Sequence, residues 1–151
     1  MIYKIQNKLY FLLLSFLIIL IDQLTKFLMF YNHENFVNKD FILFKLDFVK
    51  NYGAAFNIFN GNRIFLSFIS ILISIILFNF IFGTKIRSKI ELVSYSFILG
   101  GTIGNGIDRI LNGFVIDFIN LNLISFPVFN FADTCISFGF LLILYSIFKK
   151  K

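Results

Sequence analysis

The sequence is short of the groups on which metal and thiol chemistry is built. It has one cysteine, Cys135, which excludes an internal disulfide and any multi-cysteine metal site. It has one histidine, His33, expected in a polar loop, which excludes a histidine-cluster metal centre. Tryptophan is absent, and alanine occurs only as Ala54, Ala55 and Ala132. The basic start, Lys4 and Lys8 followed by LYFLLLSFLIILI, has the form of a signal sequence, but no small-residue cleavage site follows it. A retained first transmembrane helix is expected instead. Acids are also scarce, with only eight Asp and Glu in 151 residues.

What remains is apolar. The chain is 58% hydrophobic and contains 24 Phe, which is too apolar for a soluble domain and long enough for one compact membrane bundle. The heavy use of Phe, Ile, Asn and Lys reads as compositional drift. The net charge of +6 does not point to nucleic acid, because the basic residues flank apolar runs, where the orientation rule accounts for them.

Four stretches are long and apolar enough to cross a bilayer, near 9–31, 64–83, 92–112 and 131–148. The expected fold is an all-α membrane protein: four transmembrane helices and a small extracytoplasmic β-sheet, in a single domain over 1–151. Lys4, Lys8, Lys85, Arg87, Lys89, Lys149, Lys150 and Lys151 fall on one side of that arrangement. The connection 113–130 has no Lys or Arg. In 32–62 and at Arg63, Lys39, Lys45 and Lys50 are partly offset by Glu34, Asp40 and Asp47. Both termini are therefore expected in the cytoplasm and both longer loops outside.

Helical rise converts position into depth. At about 1.5 Å per residue, Asp22 and Lys26 lie roughly 20 and 26 Å from the inner end of the first helix. Asn105 and Arg109 lie at roughly 20 and 26 Å along the third, and Asp133 roughly 22 Å above Phe148. Three helices thus place polar residues in one layer, inside the outer surface of a core about 30 Å thick. In the outer loop 32–62, FKLDFVK alternates as a half-exposed strand does, NYGAAFN follows it, and VIDFI after the third helix is a second short strand.

Asp108, Asp117 and Asp133 crowd into one stretch of an apolar chain. A carboxylate beside apolar helices is costly unless paired or wet, and so is a functional candidate. Asp117 and Asp133 flank a short loop that can bring them together. Two carboxylates a few Å apart share a proton, so that one can take a proton from water while the other donates to a carbonyl oxygen, with no metal or cofactor. The plainer alternatives are helix capping for Asp133, just after Asn130, and simple exposure for Asp117. Asp22 and Lys26 form an i, i+4 pair whose plainer role is mutual neutralisation. Asn105, Arg109 and Asn112 share a face of the third helix, and Arg109 either meets a carboxylate, carbonyl or headgroup, or snorkels to the interface. Gly100 and Gly104 form a GxxxG, with Gly101 beside them, which suits close helix packing. Cys135 is expected to be a small buried apolar residue. A transporter subunit needs polar residues through the full depth, whereas the second helix carries no charge. A noncatalytic scaffold explains the glycines but not the acids.

DQLTK (22–26), NYGAAF (51–56), GGTIGNGIDR (100–109), VIDF (115–118) and FNFAD (129–133) together resemble the motif set of the bacterial lipoprotein signal peptidases, signal peptidase II, in that family's order. The resemblance implies a multi-pass aspartic endopeptidase (a hydrolase) of the bacterial inner membrane, working near its outer face without metal or cofactor. It implies cleavage of diacylglyceryl-modified prolipoprotein N-terminal to the lipidated cysteine, membrane lipid as surroundings, and inhibition by globomycin-type compounds. A monomer is expected. Asp117 and Asp133 correspond to the catalytic dyad; Asp22, Lys26, Asn51, Gly101, Asn105, Arg109, Asn130 and Ala132 correspond to residues that shape the site or bind substrate. The segment between Asp117 and Asp133 is short for the family and lacks its frequent Trp.

Overall fold

The computed structural model describes residues 2–54, 58–83 and 88–149, with side chains from Lys8 onward. Four helices carry the fold: α1 (Ile2–Phe36), α2 (Arg63–Gly83), α3 (Lys89–Leu111) and α4 (Phe131–Lys149). Two strands, β1 (Phe44–Asn51) and β2 (Val115–Leu121), pair antiparallel, with a register irregularity between Leu46 and Val49. Both expected strands are therefore present. The segment NYGAAFN is described only to Ala54.

α1 runs further at both ends than the apolar stretch 9–31. Hydropathy marks the apolar stretch of a helix, and the polar residues beyond it continue the same backbone hydrogen bonding. Asn32 departs from helical geometry at φ −128°, and a further turn follows it. His33 lies in that last turn, not in a loop, and stacks on Phe48 of β1 with ring centroids 4.7 Å apart.

The expectation of four apolar spans is corrected to three. α1, α2 and α4 are long and apolar enough to cross a membrane; α3 is helical over the expected region but more polar. The reason is its place in the bundle. It packs against α1, α2 and α4, and buries Ser94, Ser96, Thr102, Asn105 and Asp108 among them. A helix surrounded by protein needs less apolar side chain, and buried polar groups need partners that neighbouring helices supply.

Small residues let α3 be enclosed this closely. A Cβ at Gly100 would stand 2.7 Å from Ile18 of α1, and one at Gly104 would collide with the Asp22 carboxylate. A Cβ at Gly101 would stand 2.5 Å from the Ala132 carbonyl oxygen of α4. The GxxxG face thus receives α1 while the adjacent glycine receives α4. On the other side of that contact, Gly139 of α4 lies against the Ser94 carbonyl of α3. Cys135 is buried, as expected of a small apolar residue.

The sheet rests on the end of α1, where Met29 packs with Ile116 and Phe118 and Phe36 lies beside them. The chain then folds back after β2. Phe129 pairs with Ile119, its carbonyl accepting from the Phe118 and Ile119 amides at 3.0 and 2.8 Å. That return delivers Asn130 to the side of β2 and starts α4 there.

Candidate active site

α4 begins where it does because Asn130 caps it. The Asp133 amide donates to Asn130 Oδ1 at 2.9 Å, and the Asn130 amide donates back to Asp133 Oδ2 at 3.2 Å. This is the reciprocal geometry of a capping box, with Asp in the third position. The capping role expected of Asp133 is present, and it fixes the carboxylate in place.

Asp117 sits in β2 and is only 1% exposed, so the simple-exposure alternative does not hold. Its Oδ1 accepts from Asn130 Nδ2 at 2.7 Å and its Oδ2 from Asn51 Nδ2 at 2.8 Å. Asn51 faces Val115 in the register, which makes it a diagonal cross-strand neighbour of Asp117. Asp133 Oδ1 accepts from Asn105 Nδ2 at 2.8 Å. Each of the four carboxyl oxygens therefore has one N–H donor, and Asn130 serves both residues.

The environments of the two acids differ. Asp133 is half-buried at the start of α4, whereas Asp117 lies inside. Burial pushes the Asp117 carboxyl up to about 7, and the nearby Asp133 adds to the rise; the Asn51 and Asn130 hydrogen bonds and the Lys26 charge oppose it. A buried carboxyl raised this far beside a second carboxyl is the arrangement in which two acids can share one proton.

Beneath the pair lies an ionic cluster. Lys26 Nζ is 2.9 Å from Asp22 Oδ2, 3.1 Å from Asp108 Oδ2 and 2.8 Å from Asn105 Oδ1. Asp22 and Lys26 do neutralise one another, and both also reach the site. Asp22 Oδ1 accepts from the Ala132 amide at 3.0 Å, and Asp108 Oδ2 from the Ile116 amide at 3.2 Å. Gln23 Nε2 lies within 3.2 Å of Asp22 Oδ2, Asp108 Oδ1 and the Gly104 carbonyl.

Of the partners expected for Arg109, the structure supplies carbonyls. Its Nη2 donates to the Gly53 carbonyl at 3.0 Å, and its Nη1 to Asn105 O at 3.4 Å. Gly53 is held from the other side, its amide donating to Asn51 Oδ1 at 2.9 Å. Asn112, by contrast, is the exposed cap at the end of α3 and stays outside the cluster.

The structure thus gathers Asp22, Lys26, Asn51, Asn105, Arg109, Asn130, Ala132, Asp117 and Asp133 in one contiguous network. Gly101 joins through α4, at the Ala132 carbonyl. Two members have no place in the expected site. Asp108 stands out in the sequence as one of three crowded acids, and its spacing four residues after Gly104 puts it on the face of α3 toward α1. Gln23 adjoins Asp22, and nothing in the sequence marks which way its side chain turns.

The chain matches the family model described as Signal peptidase (SPase) II over residues 14–149. The lipoprotein signal peptidase of Microcystis aeruginosa is 37% identical over 136 residues, covering 88% of each chain. That of Wigglesworthia glossinidia brevipalpis is 40% identical over 134 residues, covering 85% of this chain and 88% of its own. A solved structure described as a bacterial membrane enzyme, determined by the in meso method at 2.3 Å, superimposes with a TM-score of 0.83 at 30% identity, covering 92% of this chain and 87% of that one. With its apolar helices and a family model spanning nearly its whole length, the chain belongs to the signal peptidase II family, a family of peptidases of the bacterial membrane.

Proposed function

We propose that the protein removes signal peptides from diacylglyceryl-modified prolipoproteins, cutting N-terminal to the lipidated cysteine by an aspartic mechanism. The observation that carries this is the meeting of Asp117 and Asp133 across Asn130, with one carboxyl buried and the other half-buried. Asp117, whose pKa is raised to about 7, holds the proton; Asp133 is the base. Asp133 takes a proton from water as the water oxygen bonds to the scissile carbonyl carbon, and Asp117 gives its proton to the carbonyl oxygen. The tetrahedral intermediate collapses as Asp133 passes its proton to the leaving nitrogen and a hydroxyl of the intermediate returns its proton to Asp117; the C–N bond breaks, and the pair is again as it began. No metal or cofactor takes part.

The substrate is itself a helix anchored in the bilayer. A lipid anchor would hold the scissile bond at the depth of the polar layer, which lowers the entropic cost of alignment. Arg109 orients the substrate backbone. On this reading α3 also spans the membrane: its 23 residues rise roughly 34 Å at about 1.5 Å each. Both termini are cytoplasmic, the sheet and the acid pair lie at the outer face of the inner membrane, and the 151 residues work as one monomeric domain. Globomycin-type inhibitors would compete for the site.

The test is cleavage by the purified protein in detergent of one prolipoprotein with and without its diacylglyceryl group, each in the presence and absence of globomycin. Cleavage of the lipidated form alone, blocked by globomycin, is expected. Equal cleavage of the unmodified form contradicts the assigned substrate.

A further inference from the structure

We propose that Lys26 is a positioning residue for the acid pair, acting through the side-chain amide of Asn105; this rests on the aspartic reading above. Lys26 is 1% exposed, so it cannot touch substrate. An ammonium has three N–H donors and no acceptor. Here each meets one oxygen, on Asp22, Asp108 and Asn105. The Asn105 oxygen must therefore face Lys26, because the flipped amide would aim its N–H groups at a cation. That turns Nδ2 toward Asp133 Oδ1, at 2.8 Å.

Asn130 Nδ2 approaches the same Asn105 oxygen at 3.1 Å. Its own sense is fixed by the Asp133 amide, which donates to its Oδ1. Two groups that cannot reverse, an ammonium and a backbone N–H, thus decide which way both amides point. The charged groups that act on Lys26 are Asp22 on α1, Asp108 on α3 and, at longer range, Asp117 on β2. Its two acids also brace the backbone of the site. Asp22 accepts from the amide of Ala132, the residue before Asp133, and Asp108 from that of Ile116, the residue before Asp117.

The test uses a charge-matched pair. Lys26→Met with Asp108→Asn keeps the summed charge of Asp22, Lys26 and Asp108 at its native value. It leaves Asp22 with the Ala132 and Gln23 donors. Displacement of a reacting group by about 1 Å costs about a hundredfold in rate, so the pair is expected to lower kcat by about tenfold or more. Because the lost interaction is with the base and not the substrate, KM stays within about twofold. With Asn105→Ala already in place, the same pair lowers kcat by less than about twofold. Lys26→Gln with Asp108→Asn, which carries the same charge but restores a donor, recovers turnover.

Equal losses in both backgrounds, equal turnover of the Met and Gln pairs, or full kcat in Asn105→Ala would each overturn the relay. Asn105→Asp serves if the Lys26 variants do not fold. It leaves Lys26 an acceptor and removes the N–H aimed at Asp133, so kcat falls while KM holds; full kcat there overturns the relay too. Asp133→Asn, assayed alongside, separates the two ideas. Activity in that variant sinks the aspartic reading itself, whereas additive losses beside an inactive Asp133→Asn sink only the role of Lys26.

Discussion

Asn130 and Asp133 hold one another by two reciprocal hydrogen bonds, 2.9 and 3.2 Å long, at the first turn of α4. The capping oxygen and the amide nitrogen of Asn130 do different work. Oδ1 starts the helix, while Nδ2 reaches Asp117. Asn130→Ser keeps an oxygen suited to capping but has no amide for Asp117. Both Asn130→Ser and Asn130→Ala lose the buried amide contacts with Asp117, Asn105 and Ile116, but Ala also loses the cap, so thermal unfolding should place Asn130→Ala about 1 kcal/mol below Asn130→Ser. Both should lose turnover by on the order of tenfold or more. An Asn130→Ser enzyme with wild-type kcat would show that the amide contact with Asp117 is not used.

The proton on Asp117 sets a pH dependence. Its carboxyl is raised from the ordinary 3.8 to about 7, first by burial and then by Asp133. The folded protein therefore holds a proton that the unfolded chain releases. The sign follows: the contribution of Asp117 to stability is largest below about 4, falls as pH rises toward 7, and levels off above it. On the proposed aspartic mechanism catalysis needs that proton, so kcat should decline as pH rises above about 7. Asp117→Asn should flatten the stability profile and raise the melting temperature at pH 8 relative to wild type, although it removes activity. A wild-type melting temperature that climbs steadily from pH 4 to 8 would contradict the assignment of the proton to Asp117.

The helix packing makes a sharper demand on glycine than on hydrophobicity. A Cβ at Gly101 meets the Ala132 carbonyl at 2.5 Å, which is backbone and cannot swing aside. Gly83 at the end of α2 has nothing within 4 Å of such a Cβ. Gly101→Ala should be destabilised by about 1–3 kcal/mol, the usual cost of overpacking. It should also lose activity, because Ala132 adjoins Asp133. Gly83→Ala should unfold like wild type. Comparable melting temperatures for the two variants would show that α3 and α4 can separate freely.

Arg109 ties the segment after β1 to α3 through the Gly53 carbonyl, while Asn51 ties the same residue to Asp117. Arg109→Ala should impair cleavage far more than folding. A loss of about a hundredfold in kcat/KM with a melting temperature within a few degrees is the expected result, in line with the cost of lost alignment. Normal turnover in that variant would remove Arg109 from the site.

Much of this was legible in the sequence for specific reasons. Asp22, Lys26, Asn105 and Asp133 were placed at one depth by helical rise alone, and they do meet. Asn130 was readable as a cap because a short polar residue precedes a carboxylate by three. The extra turns of α1 were not readable, because hydropathy does not see a helix that continues through polar residues. In the sequence α3 reads as an apolar span like the others. Its polarity comes from its central position, which no single segment reveals. The turn of Gln23 toward Asp22 and Asp108, and the return of Phe129 to Ile119, depend on contacts between distant segments.

The most direct measurement is turnover of a diacylglyceryl prolipoprotein by the purified wild-type protein beside Asp117→Asn and Asp133→Asn, each checked for folding. Both variants keep the size and hydrogen-bonding reach of the carboxyl while removing its acid–base chemistry. Cleavage by wild type, with both variants folded and inactive, is the predicted result. Wild-type turnover in either folded variant would contradict the aspartic mechanism and leave that acid a structural part of the network.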